Sequence, residues 1–179
     1  ACISLSQDVQ GEIFDYPEEF FNEKIHTIRR PRPDDYQIKQ AADLIKKSKN
    51  PIIISGGGIF YSDAMKELSQ FAKKHNIPTA QTVMGYSTMK KDDPYFLGAI
   101  GGFGGKAPND FMKKTDLAIA VGTKLADFTT GSWTNFENPN FKLVSINVSR
   151  FDANKHLAHS IIGDAKVSLQ DLTLNLGGW

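Results

Sequence analysis

Short apolar runs alternate with helical segments along most of the chain, and this alternation constrains the fold more than any other feature. The run at 52–54 is β-branched and the run at 117–121 is wholly apolar, as expected of strands that are covered on both faces. Strands separated by helices imply right-handed crossovers and a parallel sheet. The six predicted strands are 52–54, 79–83, 96–100, 117–121, 143–148 and 161–162. We therefore predict an α/β fold with a three-layer, doubly wound, six-stranded parallel sheet of the Rossmann-like type.

Capping residues predict where the helices begin. Asp34, followed by Gln37 three residues later, fits a capping box for the first helix. Ser62 is the predicted N-cap of a second helix that ends near Asn76. Asp164 is the predicted N-cap of the last helix, which carries apolar residues at helical spacing.

The composition excludes several classes of protein. Twenty-one basic and 20 acidic residues leave a formal charge of +1, which argues against a domain that binds nucleic acid through phosphates. The apolar runs are far shorter than the ~20 residues that cross a bilayer. The one cysteine, Cys2, cannot form an internal disulfide. We therefore expect a globular, cytoplasmic protein.

The organisation of the chain suggests a piece of a larger protein. Residues 1–5 resemble a strand entered partway, and a polar stretch with several prolines follows. We expect residues 1–36 to be the end of a preceding domain plus a linker, and residues 37–179 to be a central α/β domain. The basic cluster at 29–32 is interpreted as a solvated hinge, with contact to an anionic partner as the alternative.

Glycines cluster where the predicted strands end, at 56–58, 85, 101–102, 104–105 and 122. Ligands of open parallel sheets bind outside the carboxyl ends of the strands, and glycine lets backbone N–H groups approach a phosphate. A dinucleotide fingerprint would also need glycine at Tyr61 and an acid near 81–84, and both are missing. A nucleotide site and a set of tight structural turns therefore both remain open.

No residues in the chain form a convincing catalytic or metal-binding set. A nucleophile elbow is absent, and His156 and His159 lack further ligands at suitable spacing. We therefore assign no catalytic residue and no metal ligand, and we expect no activity from this stretch alone.

Six motifs follow one another in a fixed order, at 51–58, 77–79, 82–85, 97–101, 116–122 and 163–165. In that order they resemble the central domain of thiamine-diphosphate-dependent enzymes of the acetolactate synthase and pyruvate oxidase type. The resemblance covers about residues 37–176. It implies that residues 1–10 are the last strand of a preceding pyrimidine-binding domain.

Within that family, the segments 7–10, 15–21, 122–125 and 127–132 are similar to members that hydrolyse the ring C–C bond of a cyclic 1,2-dione in myo-inositol catabolism. The resemblance implies a cytoplasmic homo-oligomer that uses thiamine diphosphate and Mg²⁺. The diphosphate-binding domain and a glutamate of the pyrimidine-binding domain would supply the catalytic groups. None of those residues lies in this chain.

The acetolactate synthase branch binds FAD with its central domain, which implies a second reading of the glycines. The matching positions are Gly56, Gly57, Gly58, Met84, Gly101, Gly102, Gly122 and Lys124. The flavin binders carry arginine, a second acid and another arginine where this chain has Lys124, Ala126 and Phe128, and an acid at Asn147. We therefore expect no FAD and a vestigial site, while a flavin- or nucleotide-binding domain remains the alternative.

Overall fold

The computed structural model describes residues 2–179 and contains six strands and seven α-helices in that range. The strands are β1 (Pro51–Ser55), β2 (Thr79–Gln81), β3 (Phe96–Ala99), β4 (Leu117–Val121), β5 (Lys142–Asn147) and β6 (His159–Ile162). The helices are α1 (Asp35–Lys47), α2 (Gly58–Tyr61), α3 (Met65–Lys74), α4 (Lys106–Lys114), α5 (Asp127–Thr130), α6 (Arg150–Ala153) and α7 (Ala165–Leu176). Short 3₁₀ turns span Val9–Gly11, Glu18–Phe21, Val83–Gly85 and Lys155–Leu157.

The six strands form one parallel sheet in the order β3-β2-β1-β4-β5-β6. Because all six strands run parallel, their carboxyl ends lie together at one edge of the sheet. The predicted six-stranded, doubly wound α/β fold is confirmed.

Both faces of the sheet are covered, which explains why its two central strands, β1 and β4, are apolar at every position except Ser55. On one face, Ile53 and Ile119 pack with α1, α3 and α7. On the other face, Ile52 and Ile54 pack with Met112 of α4 and with aromatic residues of the β4–β5 connection. Alternate residues of one strand thus belong to two separate cores, because successive side chains of a β-strand point to opposite faces of the sheet.

Two of the three predicted helix caps are present. The Asp34 carboxylate accepts from the amides of Tyr36 and Gln37, and the Asp164 carboxylate accepts from two amides of α7. The prediction for Ser62 is wrong, because this residue ends α2 and the next helix begins after Ala64. Its hydroxyl instead donates to Asp164, 102 residues away in sequence.

The N-terminal arm, residues 2–29, is exposed along its whole described length. The predicted strand at 1–5 is not formed over residues 2–5, and Ala1 lies outside the described residues. A single extended segment with no strand beside it cannot complete a hydrogen-bond ladder. Within residues 2–179, no helix is long and apolar enough to cross a membrane.

Candidate functional site

The strand order creates a crevice at the carboxyl edge of the sheet. The chain leaves β1 toward β2 on one side, while β4 lies on the other side and leads toward β5. Loops after β1 and β4 therefore diverge, and open α/β sheets bind ligands at such a switch point. The glycines at 56–58 and at 122 lie directly at this point.

The glycines at the switch point bring two backbone turns into direct contact. A Cβ atom on Gly56 would lie 2.4 Å from the Gly122 carbonyl oxygen, and one on Gly58 would lie 2.6 Å from the Gly122 Cα. Gly122 itself has a φ of +63°, which L side chains rarely adopt. All three positions therefore need glycine for packing, whether or not a ligand binds.

The same backbone groups are already used inside the chain. The N–H groups of Gly56, Gly58 and Gly122 donate to carbonyl oxygens of neighbouring strands and turns, at 2.9 Å in each case. A phosphate cradle needs N–H groups that point freely at the anion. Of the three consecutive glycines, only Gly57 has an N–H with no hydrogen bond inside the described residues.

The glycines after β3 lie apart from the crevice. A Cβ on Gly101, whose φ is +84°, would lie 1.9 Å from the Phe128 carbonyl oxygen. The Gly101 amide donates to the Asn109 side chain at 2.9 Å, and the Gly102 amide donates to Phe128 O at 2.8 Å. This turn therefore fastens α5 to the end of β3.

Five of the eight predicted residues line one groove of about 380 Å³ across the switch point. They are Gly57, Gly58, Met84, Gly122 and Lys124. Gly56, Gly101 and Gly102 are not part of its lining. Tyr61, Thr82 and Asp152 line the same groove but were not among the predicted site residues, and Asp152 lies in no recognised motif.

The residues present do not fit a flavin dinucleotide. Ala126 and Phe128 line the groove with apolar groups where the flavin binders carry charges. The Asn147 amide group donates to Thr123 O at 3.3 Å and accepts from the Ser149 amide at 3.0 Å. Asn147 therefore ties two loops together, and its hydrogen-bonding groups are used within the protein.

The one acidic side chain among the described residues that line the groove, Asp152, is paired with a lysine. Lys155 donates to Asp152 at 2.6 Å, and this hydrogen bond lowers the pKa of the Asp152 carboxyl below its ordinary value. The positive charge of Lys124 acts in the same direction. Asp152 is therefore a poor general base, and the described residues contain no group of three His, Cys, Asp or Glu side chains that could hold a metal ion.

The carboxyl edge also exposes large apolar side chains. At least one such residue follows each of the first five strands: Tyr61, Val83, Met84, Phe103, Phe128, Val148 and Phe151. Phe103 and Phe128 stack with ring centroids 5.6 Å apart while remaining 74% and 69% exposed. Groups of exposed large apolar side chains are typical of an interface with another protein surface.

The linker reaches the same edge of the sheet. Arg30 pairs with the buried Asp164, so the interpretation of the basic cluster as a solvated hinge is wrong for this residue, whereas Arg32 stays 67% exposed in its pair with Asp171. No local sequence signal predicts these pairs, because their partners lie more than 130 residues further along the chain.

Comparisons with known proteins identify the relatives of this chain. A family model described as the central domain of thiamine pyrophosphate enzymes matches residues 38–172. The 3D-(3,5/4)-trihydroxycyclohexane-1,2-dione hydrolase of Clostridium perfringens is 47% identical over 171 residues, which are 96% of this chain and 27% of the relative. The protein of the same name from Clostridium tetani is 45% identical over 174 residues, covering 97% of this chain and 27% of the relative.

A solved structure supports the fold. The X-ray structure of an enzyme from Mycobacterium smegmatis, described as thiamin diphosphate-dependent, superposes with a TM-score of 0.71 at 19% sequence identity. The match covers 88% of this chain and 31% of that chain. The chain thus spans about 27% of the length of the curated relatives that it matches.

Proposed function

Because the chain belongs to the family of thiamine pyrophosphate enzyme central domains, we propose that it is the non-catalytic central domain of a hydrolase that cleaves a ring C–C bond of a cyclic 1,2-dione in myo-inositol catabolism. The observation that carries the proposal is the 47% identity over 96% of the chain to a trihydroxycyclohexane-1,2-dione hydrolase. Identity of this extent over nearly the whole chain includes the linker as well as the folded domain.

The catalytic groups of such an enzyme would come from outside this chain. The described residues offer no metal-ligand cluster for a Mg²⁺–diphosphate unit. The relatives extend well beyond the matched region, since this chain spans 27% of their length. Thiamine diphosphate would supply an electron sink for C–C cleavage. We place it and its Mg²⁺ in the flanking pyrimidine- and diphosphate-binding domains.

The central domain would then act as a spacer and an interface. Its exposed apolar carboxyl edge provides a surface for the flanking domains or for a second copy in a homo-oligomer. A cytoplasmic location agrees with the single cysteine, which needs no oxidising compartment. Neither nucleic acid nor a membrane is a proposed partner.

We further propose that the glycine-rich crevice is a vestigial nucleotide site. Three observations support this. The N–H groups of the glycines at 56, 58 and 122 donate to carbonyl oxygens within the chain, and the residues at 126 and 128 are apolar. The Asn147 side chain already bonds to Thr123 O. The alternative, a flavin- or nucleotide-binding domain of an acetolactate synthase-like enzyme, rests on the groove of about 380 Å³ that remains.

Activity measurements on two proteins test the proposed function. The full-length polypeptide that contains this sequence should consume 3D-(3,5/4)-trihydroxycyclohexane-1,2-dione only when thiamine diphosphate and Mg²⁺ are present. The 179-residue chain should consume none under the same conditions. Turnover by the chain alone, or a full-length protein that ignores the dione with both cofactors present, would contradict the proposal.

A further inference from the structure

The last residues of the linker are built into the folded domain at the start of α7. The Asp164 amide donates to the Pro31 carbonyl oxygen at 2.8 Å. Pro33 is buried, and a Cβ atom on Gly163 would lie 2.9 Å from the Pro33 nitrogen. Residues 31–33 therefore pack on the domain along their backbone.

Arg30 supplies the charged part of this contact. Its guanidinium group donates to Asp164 Oδ2 at 3.2 Å and also to the Ser62 carbonyl oxygen. The Ser62 hydroxyl donates to the same carboxylate oxygen at 2.8 Å and accepts from the Ala165 amide at 3.2 Å. One network thus joins the linker, the end of α2 and the start of α7.

Burial makes the Arg30 contact stronger than the other ion pair of the linker. The Asp164 side chain is 5% exposed and the Arg30 side chain 31% exposed. A buried carboxylate that loses its cation is left with an uncompensated charge, whereas an exposed pair contributes little. The Arg32 side chain, 67% exposed beside Asp171, is an example of the weak kind.

The linker also covers part of the carboxyl edge. Ile28, Arg29 and Pro31 form one wall of a cavity of about 520 Å³, and Gly58, Gly122 and Asn147 are part of the opposite wall. The segment therefore runs across the ends of β1, β4 and β5. Its position fixes the direction in which the chain approaches the domain.

We infer that Arg30, Ser62 and Asp164 form a latch that holds residues 30–33 rigidly across the carboxyl edge of the sheet. The latch makes the end of the linker an extension of the domain and places the pivot for the preceding residues at position 29. The point at which the preceding residues leave the domain is then fixed at Arg30. This inference rests on contacts within the chain and does not depend on the proposed activity.

Spin-label distances on the 179-residue chain test the latch. Labels at Thr27→Cys and Leu174→Cys, both exposed, are placed in a Cys2→Ser background. The distance distribution should broaden clearly in Arg30→Ala. The matched control Arg32→Ala removes the exposed pair of the same linker and should leave the distribution nearly as narrow as in the parent.

Amide exchange at Asp164 gives a second, local measurement. The hydrogen-exchange rate of the Asp164 amide should rise at least about tenfold in Arg30→Ala and less than about twofold in Arg32→Ala. The reason is that hydrogen bonds to buried charges contribute more than exposed ion pairs. Arg30→Lys keeps the charge without the forked donor geometry and should lie between them. It also replaces Arg30→Ala if that variant fails to fold. Unchanged exchange and distances on altering Arg30, or equal effects of both alanine variants, would overturn the inference.

Discussion

The amino and carboxyl edges of the sheet differ in the side chains that they expose to solvent. At the amino edge, the segments before the first five strands expose no large hydrophobic residue among those described. There the Asp116 carboxylate accepts from the amides of Lys49 and Asn50, at 2.8 and 3.1 Å, and from the Ser48 hydroxyl. At the carboxyl edge, exposed apolar side chains follow each of the same five strands.

This difference supports the proposal that the carboxyl edge is the surface for other domains or for a second copy. At the amino edge, Asp116 bonds the polar groups of the segment before β1, and Lys142 is exposed to water. At the carboxyl edge, the backbone turns are tightly packed, large apolar side chains are exposed, and the end of the linker is bound through Arg30.

The largest effect is expected at the packed turns of the carboxyl edge. In Gly101→Ala the new Cβ would meet the Phe128 carbonyl oxygen at 1.9 Å with φ at +84°. We expect a loss of about 3–5 kcal/mol in unfolding free energy, or no folding, from left-handed strain plus overpacking. Urea denaturation measures it.

Gly102→Ala is the matched control for this turn, because its Cβ would find only ordinary contact, 3.5 Å from Phe128 Cδ1. It should cost less than about 1 kcal/mol. Equal losses for the two variants would mean that the close packing of the turn is not what requires glycine at position 101.

A smaller loss is expected at the amino edge from Asp116→Ala, which removes three hydrogen bonds to the segment before β1. The unfolding free energy should fall by about 2–3 kcal/mol. Asp92→Ala, at an exposed turn, should change it by less than about 0.5 kcal/mol.

The pH dependence of stability provides a second test of Asp116. Burial alone raises the pKa of this carboxyl, but the hydrogen bonds from Ser48, Lys49 and Asn50 outweigh burial and lower it below the ordinary value of 3.8. Its contribution is therefore complete above pH 3.8 and is lost as the pH falls through the lower folded-state pKa. In Asp116→Asn, the unfolding free energy should no longer contain this pH-dependent contribution at acid pH. An acid-denaturation profile identical to that of the parent would contradict the role given to Asp116.

Local chemistry made most of the fold predictable, and long-range contacts account for the errors. The central strands are almost wholly apolar because both faces are buried, and Asp34 and Asp164 cap helices through neighbouring amides. Ser62 has the sequence signature of a cap, but its hydroxyl bonds to Asp164 across the fold. Arg30 likewise finds a partner that no spacing rule could reveal.

The candidate site was predictable in location more than in detail. Glycines at strand ends predicted a site at the switch point, and Gly57, Gly58 and Gly122 line a groove there. Ligand binding in that groove stays a prediction. The sequence could not distinguish a glycine that frees an N–H for a ligand from one that admits a neighbouring backbone. Gly56 and Gly101 are of the second kind, which only the three-dimensional contacts reveal.

The smallest effect on stability is expected at the exposed aromatic pair of the carboxyl edge. The double variant Phe103→Ser, Phe128→Ser should change the unfolding free energy by less than about 1 kcal/mol, since both rings are largely exposed. Fluorescence of an apolar dye should fall, because the edge loses contiguous apolar surface. Lys142→Ser at the amino edge should leave the dye signal unchanged, and a similar fall there would remove the contrast between the edges.

The most direct test of the vestigial crevice is a titration of the chain with FAD, monitored by isothermal titration calorimetry and by flavin fluorescence. The internally donated N–H groups and the missing charges predict no saturable binding up to about 1 mM, that is, an affinity weaker than about −4 kcal/mol. Saturation at one FAD per chain with a micromolar Kd would contradict the account and favour the coenzyme-binding alternative.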